Sequence, residues 1–465
     1  MEVIHDTITN TGLRENACSN SGHACRYRSD SKPNGPVLIG ERKRPGVSNS
    51  SVSYSRKRLS RTQSTNGVIM GFAHAPGFGN SSYTLSKQGT LNKLIDNSTN
   101  QIKYLGSSAQ IAIETALTRM ATSGGTLFIK KGQYNVTGGL LLHSMIRIVG
   151  EGVNNTTLYL SNGSNRDMFT YATAVNIYFV TFEHLTIGGN STNNTAGSFL
   201  KTNAYVNDIL IFDCFIEDFK EYGVDLGIQW GLRITNCVFE FMTLDAIMIR
   251  SGANGNILST KIDANDGNGI TLTGSAGTCL ISNCYIVASG NNGIYINDSD
   301  SNNIIGCSIS NNNRITTTGS DIEIAGGSIG NLISGNQIAG SSRSIYNIKL
   351  TSASGGYVIG NTLSTAVTLP IYETGATSVW VRDNKGCVTE NWNTAANIAD
   401  GGTINHGCAR TPKYATVQPT VSGEVISVTA LGTTTITVAI KKISDGSAGS
   451  TQTVYWMARC SADNY

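Results

Sequence analysis

The chain has 465 residues, a net charge of only +3, 14% charged residues, 52 glycines and 10 cysteines. No run of 18 or more apolar residues occurs, which excludes a membrane-spanning helix, and the first residues lack the charged-then-apolar pattern of a secretory signal. Few charges among abundant Gly, Asn, Ser and Thr imply a chain that turns many times rather than one built of long helices.

Residues 1–70 carry 11 Lys/Arg against 5 Asp/Glu, so this segment is basic and the remainder slightly acidic. Arg42-Lys43-Arg44, Arg56-Lys57-Arg58 and Arg61 lie in a Ser/Asn-rich stretch with little to bury, which reads as a disordered segment. Nucleic acid is not expected as its partner. Met70 stands where the sequence becomes regular and is an alternative start. Residues 71–106 read as a lead-in arm. From Ser107 to Thr122 the positions Ile111, Ala112, Thr115, Ala116, Arg119 and Met120 predict a short amphipathic helix capped by Ser107 or Ser108, suited to covering the end of a stacked core. Lead-in arm and helix together span 71–123.

The next phrase is Gly124-Gly125-Thr126-Leu127-Phe128-Ile129, Gly132-Gln133-Tyr134-Asn135-Val136, then Ile146-Arg147-Ile148-Val149-Gly150-Glu151-Gly152. With the helix before it, it resembles the opening of the pectate-lyase-like right-handed β-helix superfamily, and the resemblance extends to about Asn384. It implies an all-β fold, a right-handed parallel β-helix over 124–390. It also implies a protein at the cell exterior or on a virion that binds, and by lyase or hydrolase chemistry cleaves, a polysaccharide, acidic polymers included. The superfamily also holds non-catalytic adhesins and spikes, so the fold alone does not select a reaction. Trimer assembly, found in tailspikes of similar architecture, is a further expectation of the resemblance.

The middle of the chain carries the pattern independently. Ile211-Phe212-Asp213-Cys214-Phe215-Ile216, Ile234-Thr235-Asn236-Cys237-Val238-Phe239, Ile257-Leu258-Ser259-Thr260-Lys261-Ile262, Ile281-Ser282-Asn283-Cys284-Tyr285-Ile286 and Ile304-Ile305-Gly306-Cys307-Ser308-Ile309 repeat at steps of 23 or 24 residues. Asn336 and Asn361 then take the ladder position. Such a period marks stacked coils, each burying its apolar side on the next. Cys214, Cys237, Cys284 and Cys307 are therefore expected to be buried free thiols rather than a disulfide framework. Cys387 and Cys408 flank the solenoid end and would pair in an oxidising compartment.

If the Cys and the residue two after it point inward, the residue three after it points out. Glu217, Glu240 and Asp263 then form a column on three successive rungs about 4.8 Å apart. Like charges so close need either a shared proton or a cation. A proton makes them a candidate catalytic pair of glycosidase type, adjacent rungs approaching the ~5–5.5 Å retaining gap. A cation makes the column a Ca2+ site, the ion that neutralises uronates in lyases of the superfamily. The phrases Gly223-Val224-Asp225-Leu226, Ala246-Ile247-Met248-Ile249, Gly269-Ile270-Thr271-Leu272, Gly293-Ile294-Tyr295-Ile296 and Asp321-Ile322-Glu323-Ile324 give a second outward row. Asp225, Tyr295, Glu323 and Lys349, with Arg250 just beyond Met248, are candidate substrate-binding residues, since Tyr and Arg beside a uronate suit proton abstraction.

Residues 391–410 read as a connector and 411–465 as a small antiparallel β module. Its strands are expected at Gly423–Thr429, Thr434–Ile440 and Thr451–Trp456 around the turn Ser444-Asp445-Gly446. The module is expected to cap the last rung, with Tyr455 or Trp456 as alternative sugar contacts. Asn135, Asn162, Asn190 and Asn297 open Asn-x-Ser/Thr sequences that can carry glycans in a secretory host.

Overall fold

A computed structural model describes residues 81–460, apart from 172–175, 317, 341–342, 365–368 and 409–410. The basic segment 1–70 and the alternative start at Met70 lie outside these residues.

Each coil of the solenoid contributes up to three short strands, separated by single residues or short loops. On the first face, Val224–Trp230, Ile247–Ile249, Ile270–Thr273, Ile294–Asn297, Ser320–Ala325, Tyr346–Thr351 and Leu369–Thr374 stack in parallel. The second face stacks Arg233–Thr235, Asn256–Leu258, Leu280–Ser282, Asn303–Ile305, Leu332–Ser334, Tyr357–Ile359 and Trp380–Arg382. The third face is a 10-stranded parallel sheet from Gly132–Val136 to Thr362–Leu363.

The bend from the second face to the third is made by one residue in the left-handed region, and this explains the Asn and Gly content. His184, Asp213, Asn236, Ser259, Asn283, Gly306, Gly335, Gly360 and Asp383 occupy that column, with φ between 48° and 66°. Asn, Asp and Gly tolerate this conformation best. The next residue turns inward. Cys214, Cys237, Thr260, Cys284 and Cys307 are all buried there, and Asn336, Asn361 and Asn384 continue the column. Where the ladder residue is Asn it satisfies the bend's backbone: Asn361 Oδ1 accepts from Asn336 N (3.0 Å) and its Nδ2 donates to Ile333 O (3.0 Å). The core is a set of apolar columns, for example Ile234, Ile257, Ile281, Ile304 and Ile333. Near the start, Phe169, Phe182 and Phe199 stack edge to face across two adjacent coils.

The entry to the solenoid differs from expectation in two respects. The lead-in arm is an antiparallel meander, Tyr83–Gln88, Leu91–Asp96 and Gln101–Gly106, whose first strand pairs in parallel with Gly125–Ile129. The helix runs Ala109–Met120 with Ser108 as N-cap, and buries Ala109, Ala112, Ile113, Ala116, Leu117 and Met120. Ile111, expected on the inward stripe, is exposed. Choosing Ile113 and Leu117 instead buries two large side chains, which outweighs the single one at Ile111.

The exit differs too. The expected connector supplies two strands, Glu390–Ile398 and Thr403–Asn405. The first pairs with Gln452–Arg459, itself paired with Tyr414–Pro419; the second joins Thr435–Lys442 and Glu424–Leu431. Two three-stranded sheets thus enclose a separate core containing Ile404, Ile436, Val438, Val454 and Trp456. Trp456 is therefore a core residue, and only Tyr455 of the two expected sugar contacts is exposed. Asn190 is likewise unsuited to a glycan, being buried with its amide donated to Leu160 O and Asn162 Oδ1. No helix among the described residues is long and apolar enough to cross a membrane.

Candidate functional site

Strands Phe215–Glu217, Val238–Glu240 and Lys261–Asp263 stack on the third face so that Glu217 pairs in register with Glu240, and Glu240 with Asp263. The three carboxylates of the predicted column therefore do share one line. Lys261, two residues before Asp263 on the same side of its strand, places Nζ 2.6 Å from Glu240 Oε1 and 2.9 Å from Asp263 Oδ2. These two carboxylates push the Lys261 ammonium up from its ordinary range. The like charges are thus balanced from within the column, and a Ca2+ ion does not fit where the ammonium sits. Among the described residues no group of three or more His, Cys, Asp or Glu side chains is arranged to hold a metal.

Glu217 is the member of the column without a hydrogen-bond or ion-pair partner among the described residues. Burial first, then the neighbouring charges of Asp218 and Glu240, hold its carboxyl above the ordinary range. On the other side of it, Tyr159 lies in the same column with Gly188 between them. The missing side chain at Gly188 makes room for that ring: a Cβ there would sit 2.7 Å from Tyr159 Cδ2.

The first-face row also follows its predicted register, from Lys201 through Asp225, Met248, Thr271, Tyr295, Glu323 and Lys349 to Tyr372. It is not an open solvent face, however. Asp225 is only 2% exposed. Arg250 covers it with two parallel hydrogen bonds, Nε to Oδ1 at 2.8 Å and Nη2 to Oδ2 at 3.0 Å. The same guanidinium lies 5.8 Å from the centre of the Tyr222 ring. Lys201 Nζ is also 5.8 Å from that ring and pairs with Glu221 at 2.8 Å. Lys201 and Glu221 form one wall of an open cleft of about 530 Å3, whose other charged lining groups are Arg166 and Asp167. Burial raises the Asp167 carboxyl, against a hydrogen bond from Ser198 N.

Further along the row, Asp245 is buried beneath Thr271, accepting from Thr271 Oγ1 at 2.6 Å and Asn268 N at 2.7 Å. Burial raises this carboxyl as well. Glu323 pairs with Lys349 at 2.8 Å and accepts from Asn292 Nδ2. Burial, and then the Glu323 charge, raise the Tyr295 hydroxyl.

Asp225 with Arg250, and Tyr295 with Glu323 and Lys349, are brought together as two clusters on one face. Glu217, Glu240 and Asp263 stand on another sheet, so the three predicted catalytic carboxylates and the five predicted binding residues do not form one site. Lys201, Glu221, Tyr222, Asp245 and Lys261 were not singled out by the sequence reading. Tyr222 had a legible signal, since it directly precedes Gly223 of the repeat phrase. Lys201 had none, because its strand, Leu200–Phe212, runs 13 residues without the phrase.

A family model for the right-handed β-helix region matches residues 150–338. The chain is a right-handed parallel β-helix. A structural comparison of the β-helix agrees: ORF18 of Geobacillus virus E2 superposes with a TM-score of 0.50 at 14% identity, covering 77% of this chain and 83% of that one. The A-module of mannuronan C-5 epimerase AlgE4 from Azotobacter vinelandii superposes with a TM-score of 0.41 at 16% identity, over 59% of this chain and 94% of the module. In sequence, the mannuronan C5-epimerase AlgE2 of Azotobacter vinelandii is 25% identical over 207 residues, 40% of this chain. That match spans 20% of the epimerase's own length.

Proposed function

We propose that this β-helix binds an acidic polysaccharide along its first face and cleaves it by lyase chemistry centred on Tyr222, Arg250 and Lys201. The observation that carries the reading is a phenol held between a guanidinium and an ammonium beside an open cleft. Two cations so placed can bind the carboxylate of a uronate and stabilise negative charge developing next to it. Tyr222, acting as the phenolate, is then positioned as the base that takes the proton from the carbon bearing that carboxylate, and the phenol so formed can hand it to the departing glycosidic oxygen. Expulsion of the neighbouring glycosidic oxygen, which leaves with a proton, gives an unsaturated sugar and a new reducing end. Asp225 acts through Arg250, fixing its fork. The name of the sequence relative, an enzyme of C5 chemistry on mannuronan, supports a uronate polymer as substrate.

The test is incubation with a panel of acidic and neutral polysaccharides, following unsaturated products and new reducing ends. The reading expects both from an acidic polymer, and their loss in Tyr222→Phe with binding retained. Binding without any product would instead describe an adhesin or spike.

A second reading rests on Glu217. An unpaired carboxyl with raised proton affinity one rung from the ion-paired Glu240 suits a general acid beside a carboxylate, at a rung spacing of about 4.8 Å. Hydrolysis there gives reducing ends without unsaturation and is abolished by Glu217→Gln or Glu240→Gln; if these and Asp263→Asn all leave activity unchanged, the third-face column is not catalytic. Either reading assigns the protein to the cell exterior or a virion surface, where such polymers are met. Trimer assembly is proposed with it, and the mass in solution tests it.

A further inference from the structure

Three of the eight described cysteines meet where the β-helix joins its C-terminal module. Cys387 closes the solenoid core, and Cys408 and Cys460 belong to the core of the module; all three are buried. Cys460 N donates to Thr389 O at 2.8 Å, two residues after Cys387. Cys408 Sγ lies 4.0 Å from Ala458 O, two residues before Cys460. Cys460 and Cys387 both lie near enough to the Cys408 thiol to raise its proton affinity.

The other thiols are engaged differently. Cys214, Cys237, Cys279, Cys284 and Cys307 each donate to the carbonyl two residues earlier, at 3.3 to 3.7 Å. Cys284 and Cys307 also neighbour one another on adjacent rungs, but their protons already have backbone acceptors. Among the described residues, the recorded backbone acceptor of the Cys408 thiol is Ala458 O, at a long 4.0 Å.

We propose that Cys408 and Cys460 are an oxidisable pair, joined when the chain folds in the presence of a disulfide oxidant of the glutathione class. The bond would tie the Thr403–Asn405 side of the module to the end of strand Gln452–Arg459, one from each of its two sheets. The Cys408 thiolate attacks a sulfur of the oxidant's disulfide, forming a mixed disulfide and releasing one glutathione thiolate. The Cys460 thiolate then attacks the mixed disulfide and releases the second. Two electrons pass to the oxidant, and two protons leave the protein thiols. Burial, with the neighbouring Cys460 and Cys387, pushes the folded Cys408 thiol up to about 12, so the exchange belongs to folding, before the thiols are covered. Cys387 is left as the third thiol, able to attack the same bond.

The test refolds the full chain in oxidised or in reduced glutathione, alkylates it under denaturing conditions, and digests it after Lys, Arg and Glu. Those cuts separate the three cysteines, because Glu390 lies between Cys387 and Cys408 and Arg410 and Arg459 lie between Cys408 and Cys460. The expected result is two fewer alkylated thiols than the 10 of the chain, a Cys408–Cys460 linked peptide, and a higher thermal midpoint that reductant reverses. Cys460→Ala should lose both the link and the shift, while folding to the reduced protein's midpoint or below. A full count of alkylated thiols after oxidative refolding, or a link that joins Cys387 to Cys408 or Cys284 to Cys307 instead, overturns the proposal.

Discussion

Asp321 gives a stability prediction that depends on one side chain. Its neighbours in the inner corner column on preceding coils are Ala246, Gly269 and Gly293, small residues on a crowded bend. Here the column carries a fully buried carboxyl. Asn312 Nδ2 donates to it at 3.0 Å and Asn347 Nδ2 at 3.3 Å, and among the described residues no cation pairs with it. Burial dominates over these bonds and pushes its proton affinity up to about 7 from the ordinary 3.8. Asn347 Oδ1 is buried without a partner, so a turned-over amide would accept the proton of neutral Asp321. Because the folded state holds this proton more tightly than the unfolded one, its stabilising effect is complete below about pH 4. It is lost as pH rises through about 7, a difference on the order of 4 kcal/mol at 1.36 kcal/mol per pH unit. Asp321→Asn keeps the shape and removes the titration. Thermal and urea unfolding of both proteins at about pH 4 and pH 8 should show similar stability in acid and a variant more stable by a few kcal/mol in base. An equal difference at the two pH values, or a wild type favoured at pH 8, would refute the reasoning.

Three further outcomes follow from single contacts. Arg250→Ala leaves the Asp225 carboxylate buried without its partner, and should cost about 3–5 kcal/mol in urea unfolding as well as activity. Arg250→Lys, which lacks the bidentate fork, should lose activity while recovering part of the stability. Asn361→Ala orphans the Asn336 N–H, so at about 1–3 kcal/mol for a buried group hydrogen exchange at Asn336 should accelerate far more than on the first coils. Lys261→Met removes the ammonium between Glu240 and Asp263. The urea-unfolding midpoint should then fall at low salt and the loss should shrink at high salt, whereas an unchanged midpoint would show that the ion pair does not stabilise the fold.

The solenoid was legible because its period is set by local chemistry that repeats. A left-handed bend asks for Asn, Asp or Gly, the next position for a small buried side chain, and the one two further for Ile or Phe, so Cys214 to Cys307 fixed both coil length and inward phase. The same phase put Glu217, Glu240 and Asp263 in one column and Asp225, Tyr295, Glu323 and Lys349 in another. Alternation distinguishes inside from outside and gave two rows, but it does not say which of three faces a side chain leaves from, and so the placement of the two columns on different sheets was not visible. Nor was the Lys261 ammonium, whose placement depends on a side chain reaching back one rung. Glu390–Ile398 was missed because its residues alternate weakly; Trp392 and Thr394 face out while little besides Ile398 is buried. Pairing with Gln452–Arg459, far along the chain, makes it a strand.

In the proposed reaction Tyr222, between Arg250 and Lys201, removes a proton from a uronate in an acidic polysaccharide. The most direct measurement is the appearance of unsaturated sugar from a panel of uronate polymers, wild type against Tyr222→Phe, with polymer binding measured on both. Proton abstraction by Tyr222 predicts unsaturated product from wild type alone and equal binding by the two proteins. Unsaturated product made at the same rate by Tyr222→Phe, or reducing ends released by wild type without any unsaturation, would contradict it.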